Sequence, residues 1–193
     1  MEFSEFADIE DRLRKELDKN RYRHTLGVAH TAVCLSMRWG FDLNTAYLTG
    51  LLHDCAKKYK SKEQIDKARD FGIELTESEL RNPQLIHAKT GAYLCEHEYG
   101  IKDEHIRNAI ICHTTGKPGM DLLEKILYVS DYIEPNRTVM KRLGEIRKTA
   151  FCDLDRALFM ILEDTVEYLN EKGADSVDPM TELTYNYYLK ENA

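Results

Sequence analysis

Apolar positions along this chain recur mostly at helical spacing, three and four residues apart, rather than in alternation. No alternating stretch is long enough to read as a strand. The pattern predicts helices over about 5–19, 21–39, 42–56, 61–71, 84–99, 103–113, 119–133, 139–148 and 152–172. A last, shorter one falls near 181–190. Gly40, Gly72, Gly100, Gly116 and Gly173 stand where these helices should stop. Asp42, Ser61 and Asp103 are placed to cap helix starts, and Pro83 and Pro118 sit just ahead of two more. The expected fold is all-α: one domain over 1–193, a bundle of about nine or ten helices. The polar stretch from Asp175 carries Tyr185, Tyr187 and Tyr188, which should pack back onto the body.

Several polar side chains fall on the apolar faces. Ile106, Ala109, Ile110 and His113 share one face, so His113 ends an apolar stripe. Leu123, Leu127 and Asp131 recur every four residues, which turns a carboxylate inward. His87 shares a face with Gly91 and Leu94, and His24 with Val28, Thr31 and Leu35. His53 and Asp54 close the apolar helix that ends in GLLHDCAKK. A lone inward histidine is usually an ordinary core residue, and a lone inward Asp a cap or ion pair. Several imidazoles and two carboxylates on separate inward faces suggest convergence on one point, with ligands suited to iron, manganese or zinc. His97 and His105 lie among acidic residues, and His30 points away from His24 on the same helix; none of the three joins the set.

The bulk numbers narrow the setting. The 193 residues are 42% hydrophobic and 32% charged, enough for one sizeable core. The formal net charge of −7 disfavours non-specific binding to nucleic acid. Cys34, Cys55, Cys95, Cys112 and Cys152 are odd in number and widely spaced, which speaks for reduced thiols and against a structural zinc site. No signal-peptide pattern and no membrane-length apolar run is present, so a soluble cytoplasmic protein is expected. The amphipathic first helix and the C-terminal tyrosines offer either core packing or a homodimer surface.

The order His24, His53-Asp54, Asp131 resembles the H…HD…D signature of HD-domain phosphohydrolases. The stretches RYRHTLGVAHTA, GLLHDCAKKY, IHAKTGAYL, AIICHTTGKPGM and ILYVSDYIEPNR occur in that order and are similar to the YqeK family of bacterial HD proteins. The likeness covers roughly residues 20–140, the expected HD core. It implies that His24, His53, Asp54 and Asp131 hold one metal. It also implies that His87 and His113 serve a second, with Asp54 bridging. It further implies a two-iron centre, with manganese as an alternative, and symmetrical hydrolysis of diadenosine tetraphosphate to two ADP. Two metals suit phosphoryl transfer to water, and Asp54 and Lys57 would be the catalytic pair.

A polyanionic substrate on an acidic protein needs local cations. Lys57, three residues after Asp54, should face the same pocket. Arg21 lies one turn before His24. Pro135 should end the helix that carries Asp131, letting Arg137 turn back toward the site with a fork suited to phosphate. Thr114, Thr115 and Gly116 offer hydroxyls and backbone amides beside His113, although a plain helix-ending turn fits them nearly as well. Three alternatives remain open at this level. They are an HD enzyme acting on another nucleotide, a sensor that binds nucleotide without turnover, and a bundle whose histidines are ordinary core residues.

Overall fold

A computed structural model describes residues 6–173 and 177–192. Every regular element among them is helical. Eleven α-helices run in chain order: α1 (Ala7–Glu16), α2 (Lys19–Trp39), α3 (Leu43–Leu52), α4 (Ser61–Asp70), α5 (Glu77–Arg81), α6 (Ile86–His97), α7 (Glu104–Cys112), α8 (Leu122–Ile133), α9 (Leu143–Ala150), α10 (Leu154–Lys172) and α11 (Pro179–Glu191). Short 3-10 turns occupy Cys55–Lys58 and Pro83–Leu85. Glu5, expected to open the first helix, lies outside the described residues, as does the start of the polar C-terminal stretch.

The longest helix, α2, is the spine. Asp18 caps it by accepting from the amides of Asn20 and Arg21 at 2.9 and 3.0 Å. It ends at Gly40, whose φ of 74° is left-handed. Against it lies α3, capped by Asp42 and buried from Ala46 through Leu52. The two helices touch at backbone distance: a Cβ added to Gly50 would sit 2.6 Å from the Cα of Ala29. A glycine is therefore a geometric requirement of this crossing. The third wall is α8, started by a capping box in which Asp121 and Glu124 each accept the other's amide. The pair α6 and α7 closes the far side, and α9, α10 and α11 pack outside α8. One apolar cluster runs from Phe6 to Tyr188 through all of this.

Several expected boundaries move. The helix expected over 42–56 stops at Leu52; His53 is its C-cap and Asp54 leaves helical geometry at φ −112°, ψ 16°. At that break the Asp54 carboxylate meets Arg21 and His24 of α2 on one side and His87 of α6 on the other. Ser61 is the first residue of α4 rather than its cap: Lys60 holds the cap position, and the Glu63 carboxylate accepts its amide at 2.7 Å. The helix expected from 139 begins at Leu143, because Arg142 takes a left-handed conformation at φ 50°. Its guanidinium is drawn to Asp164 instead. The sequence pattern missed α5, five residues held by a Thr76–Glu79 capping box. Two of the C-terminal tyrosines pack as expected: the Tyr188 hydroxyl is buried and accepts from the Met120 amide at 2.9 Å, and Tyr185 stacks on Phe159, while Tyr187 stays exposed.

Candidate metal centre

Helices α2, α3, α6, α7 and α8 each deliver part of one cluster. His24 comes from α2, His53 and Asp54 from the end of α3, His87 from the first turn of α6, His113 from the C-cap of α7 and Asp131 from α8. Their donor atoms form two trios, His24–His53–Asp131 and Asp54–His87–His113, and within each trio the atoms lie within 4.8 Å of one another. Asp54 lies between them. Its Oδ2 is 3.5 Å from His53 Nε2 and 3.8 Å from His24 Nε2. Its Oδ1 is 3.3 Å from His87 Nε2 and 3.8 Å from His113 Nε2. One carboxylate thus offers a separate oxygen to each group of imidazoles.

The imidazoles are oriented from behind. His53 Nδ1 donates to the Gly50 carbonyl at 2.6 Å, and His113 Nδ1 to the Ile110 carbonyl at 2.7 Å. His87 Nδ1 donates likewise to Gln84. In each case the acceptor is three residues earlier, and a carbonyl can only accept, so the proton sits on Nδ1. Every Nε2 is then a bare lone pair aimed inward. The Nε2 atoms of His87 and His113 face each other at 3.0 Å. The Nε2 atoms of His24 and His53 are buried without a hydrogen-bond partner. The Thr114 hydroxyl is within reach of His113 and His87 Nε2 at 3.2 and 3.4 Å. Buried acceptors without donors are costly, and a cation at this point relieves those of His24 and His53. The donor set therefore fits metal ions, as imidazole and carboxylate ligands do.

Charge follows the same geometry. Burial alone would raise the Asp54 carboxyl, but neighbouring His53 and His87 outweigh it and hold it well below the usual carboxylate range. Asp131 is likewise held low against its burial, first by His24, whose Nε2 lies 3.0 Å from its Oδ1, and then by the charges of His53 and Arg137. His113 is pushed down to about 3 by burial and by its two imidazole neighbours, so it stays neutral near pH 7. His53 moves the other way, because the adjacent Asp54 overcomes its burial.

These shifts predict an acid limb for the metal-free protein. Below the unfolded value of 6.5, the unfolded chain protonates His113 while the folded chain does not. Stability therefore falls as pH drops from 6.5 toward 3. His53 contributes in the opposite sense, but above 6.5, where its stabilisation fades as pH rises through its raised folded value. Thermal melts at pH 6.5 and 4.5 should show His113→Gln flattening the acid slope by up to about 1.4 kcal/mol per pH unit. An unchanged slope would mean that His113 is not the group responsible.

The expected cations reach the site. Arg21 Nη1 pairs with Asp54 Oδ2 at 2.6 Å, and Arg137 Nη2 with Asp131 Oδ1 at 2.8 Å. Lys57 is half-buried on the same side, its ammonium disfavoured by burial and partly supported by the charge of Asp54. Thr114 Oγ1 lies 3.2 Å from His113 Nε2 and faces the cleft. Thr115 and Gly116 do not. The Thr115 hydroxyl donates to the Gly116 carbonyl. Gly116, at φ 67°, is buried against Thr184 of α11, where a Cβ would meet the Thr184 methyl at 2.6 Å. Neither lines the cleft, and the Gly116 amide closes the turn that ends α7 by donating to the Cys112 carbonyl. His30, His97 and His105 are exposed and away from the cluster.

Sequence reasoning missed Glu134. It is 1% exposed, and its Oε1 receives the Nδ1 proton of His24 at 3.1 Å. Its Oε2 is held by the amide and side chain of Asn136 at 2.7 and 2.9 Å. It does for His24 what backbone carbonyls do for the other three histidines. Gly27 leaves it room, since a Cβ there would lie 2.2 Å from Oε2. The signal was available: Glu134 follows Asp131 by three residues, on the same inward face. Removal of such an orienting carboxylate typically costs about 10–100-fold in metal affinity. Glu134→Gln should weaken manganese binding by that order in titration calorimetry while leaving the helical circular dichroism unchanged. Wild-type affinity would show that His24 needs no such support.

From His113 and Asp131 a cleft of about 810 Å³ runs outward to α10 and the start of α11. Residues 21–136 match the family model described as HD domain. The chain belongs to the HD domain family. It is 42% identical over 177 residues, covering 91% of this chain and 92% of the other, to a Bacillus subtilis protein named "Bis(5'-nucleosyl)-tetraphosphatase, symmetrical". A Halalkalibacterium halodurans protein of the same name is 38% identical over 179 residues, 93% of this chain and 94% of the other. Within the HD family the chain belongs to the branch of these proteins, the YqeK family. A Clostridium acetobutylicum crystal structure, described as a predicted HD superfamily hydrolase involved in NAD metabolism, superposes with a TM-score of 0.90 at 40% identity, covering 96% and 97% of the two chains.

Proposed function

We propose that the protein hydrolyses diadenosine tetraphosphate symmetrically, releasing two molecules of ADP. The observation that carries this is Asp54, whose two oxygens face two separate imidazole groups, in a chain whose relatives bear the name of that activity over nearly their full length. His24, His53 and Asp131 would hold one metal ion, His87 and His113 a second, and Asp54 both. Iron is the metal favoured by the family likeness, and manganese suits the same ligands. When bound, such ions supply an acidified water and neutralise phosphoryl charge.

The chain's own residues do the rest. Asp54 and Asp131 are ionised across the neutral range and ready as ligands. The fixed Nδ1 protons of the histidines keep each Nε2 free. Arg21, Lys57 and Arg137 surround the two carboxylates and supply positive charge for the tetraphosphate, which otherwise meets a protein of net charge −7. Thr114 offers a hydroxyl beside His113, at the inner end of the cleft. In the reaction, water oxygen joins one of the two middle phosphorus atoms. The bond from that phosphorus to the central bridging oxygen breaks, and the bridging oxygen leaves with the other ADP and takes up a proton. Free thiols at all five cysteines suit a reducing cytosol, and no helix among the described residues is long and apolar enough to cross a membrane.

Chromatography of the products tests this. Protein incubated with diadenosine tetraphosphate and iron or manganese should yield ADP alone. AMP with ATP would move the point of attack and overturn the symmetrical assignment. No product with either metal would leave a different nucleotide, or binding without turnover.

A further inference from the structure

The cleft changes character along its length. Near the metal ligands it is cationic, with Arg137 beside Asp131. Farther out the wall turns aromatic and aliphatic: Tyr132 from α8, Val139 and Met140 from the segment before α9, and Tyr168 from α10. Val139, 91% exposed, stands at the rim of the cleft and Tyr168 is 54% exposed on its wall, so apolar surface faces water along the concave site. Apolar surface in such a place marks a binding site rather than core.

The charges at this outer end are arranged against phosphate. Lys141 lies along the cleft but is tied to Glu167 at 2.5 Å. Arg142 is spent on Asp164, with Nε and Nη2 at 2.9 and 2.5 Å from the same oxygen. Lys172 sits over the Tyr168 ring at 4.3 Å and holds it from one side. Glu171 and Asp178 add further carboxylates to the wall. A phosphate chain placed here would meet acidic groups and committed cations. An uncharged base and ribose would meet aromatic faces and hydrogen-bond acceptors instead.

We infer that this outer cleft, walled by Tyr132, Val139, Met140 and Tyr168, is a nucleoside subsite that takes one base of the substrate, with the phosphates running inward to Arg137 and the metal ligands. It rests on the proposal that the substrate is a dinucleoside polyphosphate. The polarity gradient fixes the direction in which the ligand lies. Stacking serves any base, because every base has a π face.

Binding of ADP and of inorganic pyrophosphate, measured by calorimetry on the full-length protein with manganese, tests the assignment. Tyr168→Ala should weaken ADP roughly tenfold, given the usual worth of a base–aromatic stack, and leave pyrophosphate unchanged. Tyr168→Phe should restore ADP binding. The Val139 methyl resonances should shift upfield with ADP and stay in place with pyrophosphate. Equal weakening of both ligands, or of neither, overturns the subsite, as does failure of the wild type to prefer ADP. The outcome separates from that of the proposed activity. Symmetrical cleavage with Tyr168→Ala unaffected sinks only the subsite. ADP held through Tyr168 by a protein that does not cleave diadenosine tetraphosphate sinks only the activity.

Discussion

Replacing Asp54 by alanine abolishes turnover of diadenosine tetraphosphate, with kcat/KM down on the order of a thousandfold or more, about 4 kcal/mol of transition-state stabilisation. The size of the loss comes from position. Every other side chain of the cluster serves one trio, whereas Asp54 presents Oδ2 to His24 and His53 and Oδ1 to His87 and His113. Its removal unbalances both groups at once and leaves Arg21 without the carboxylate it touches at 2.6 Å. The metal-free fold should suffer far less, because the helices that carry the ligands are packed by their apolar faces. Metal content by atomic absorption and steady-state kinetics check this together. A variant that keeps full metal content and loses little activity would remove Asp54 from the centre of the site.

The second large effect is on stability. Gly50→Ala places a methyl 2.6 Å from the Cα and 2.9 Å from the backbone nitrogen of Ala29. Neither atom belongs to a flexible side chain, so α2 and α3 must separate. Overpacking of this kind costs typically 1–3 kcal/mol, and about 3 is expected where backbone is the obstacle. For a chain of this size that is a fall in Tm of about 10 °C. The change also reaches the site. The Gly50 carbonyl is the acceptor that orients His53, and the two helices carry His24 and His53. Metal affinity should therefore drop with stability. Thermal unfolding followed by circular dichroism, with and without manganese, measures both. A Tm within a degree or two of wild type would show that the crossing relaxes freely.

These outcomes bear on how much could be read from the chain alone. The helices were legible because each buries one face, and that periodicity survives in the order of residues. Their ends were legible where chemistry marks them: Gly40, Gly72, Gly100, Gly116 and Gly173 all adopt positive φ, and Asp42 and Asp103 cap as expected. The cluster was legible because a histidine or aspartate on an apolar face stands out, and the likeness to HD proteins supplied its order. His24, His53, Asp54, His87, His113 and Asp131 do come together.

Other features depend on contacts between distant segments. Glu134 orients His24 across 110 positions of chain, and nothing in the local sequence specifies that partner. Gly116 reads equally as a helix end or as part of a ligand loop until Thr184 is seen packed against it. The outer cleft joins Tyr132, Val139 and Tyr168 from three segments, and Arg142 leaves helical geometry to reach Asp164. The sequence by itself determined which faces are apolar and which polar groups lie on them, because both are local periodicities. Only the tertiary structure decided which of those groups meet, since helix crossings and the backbone breaks at Asp54 and Arg142 are set by close packing between segments far apart in the chain.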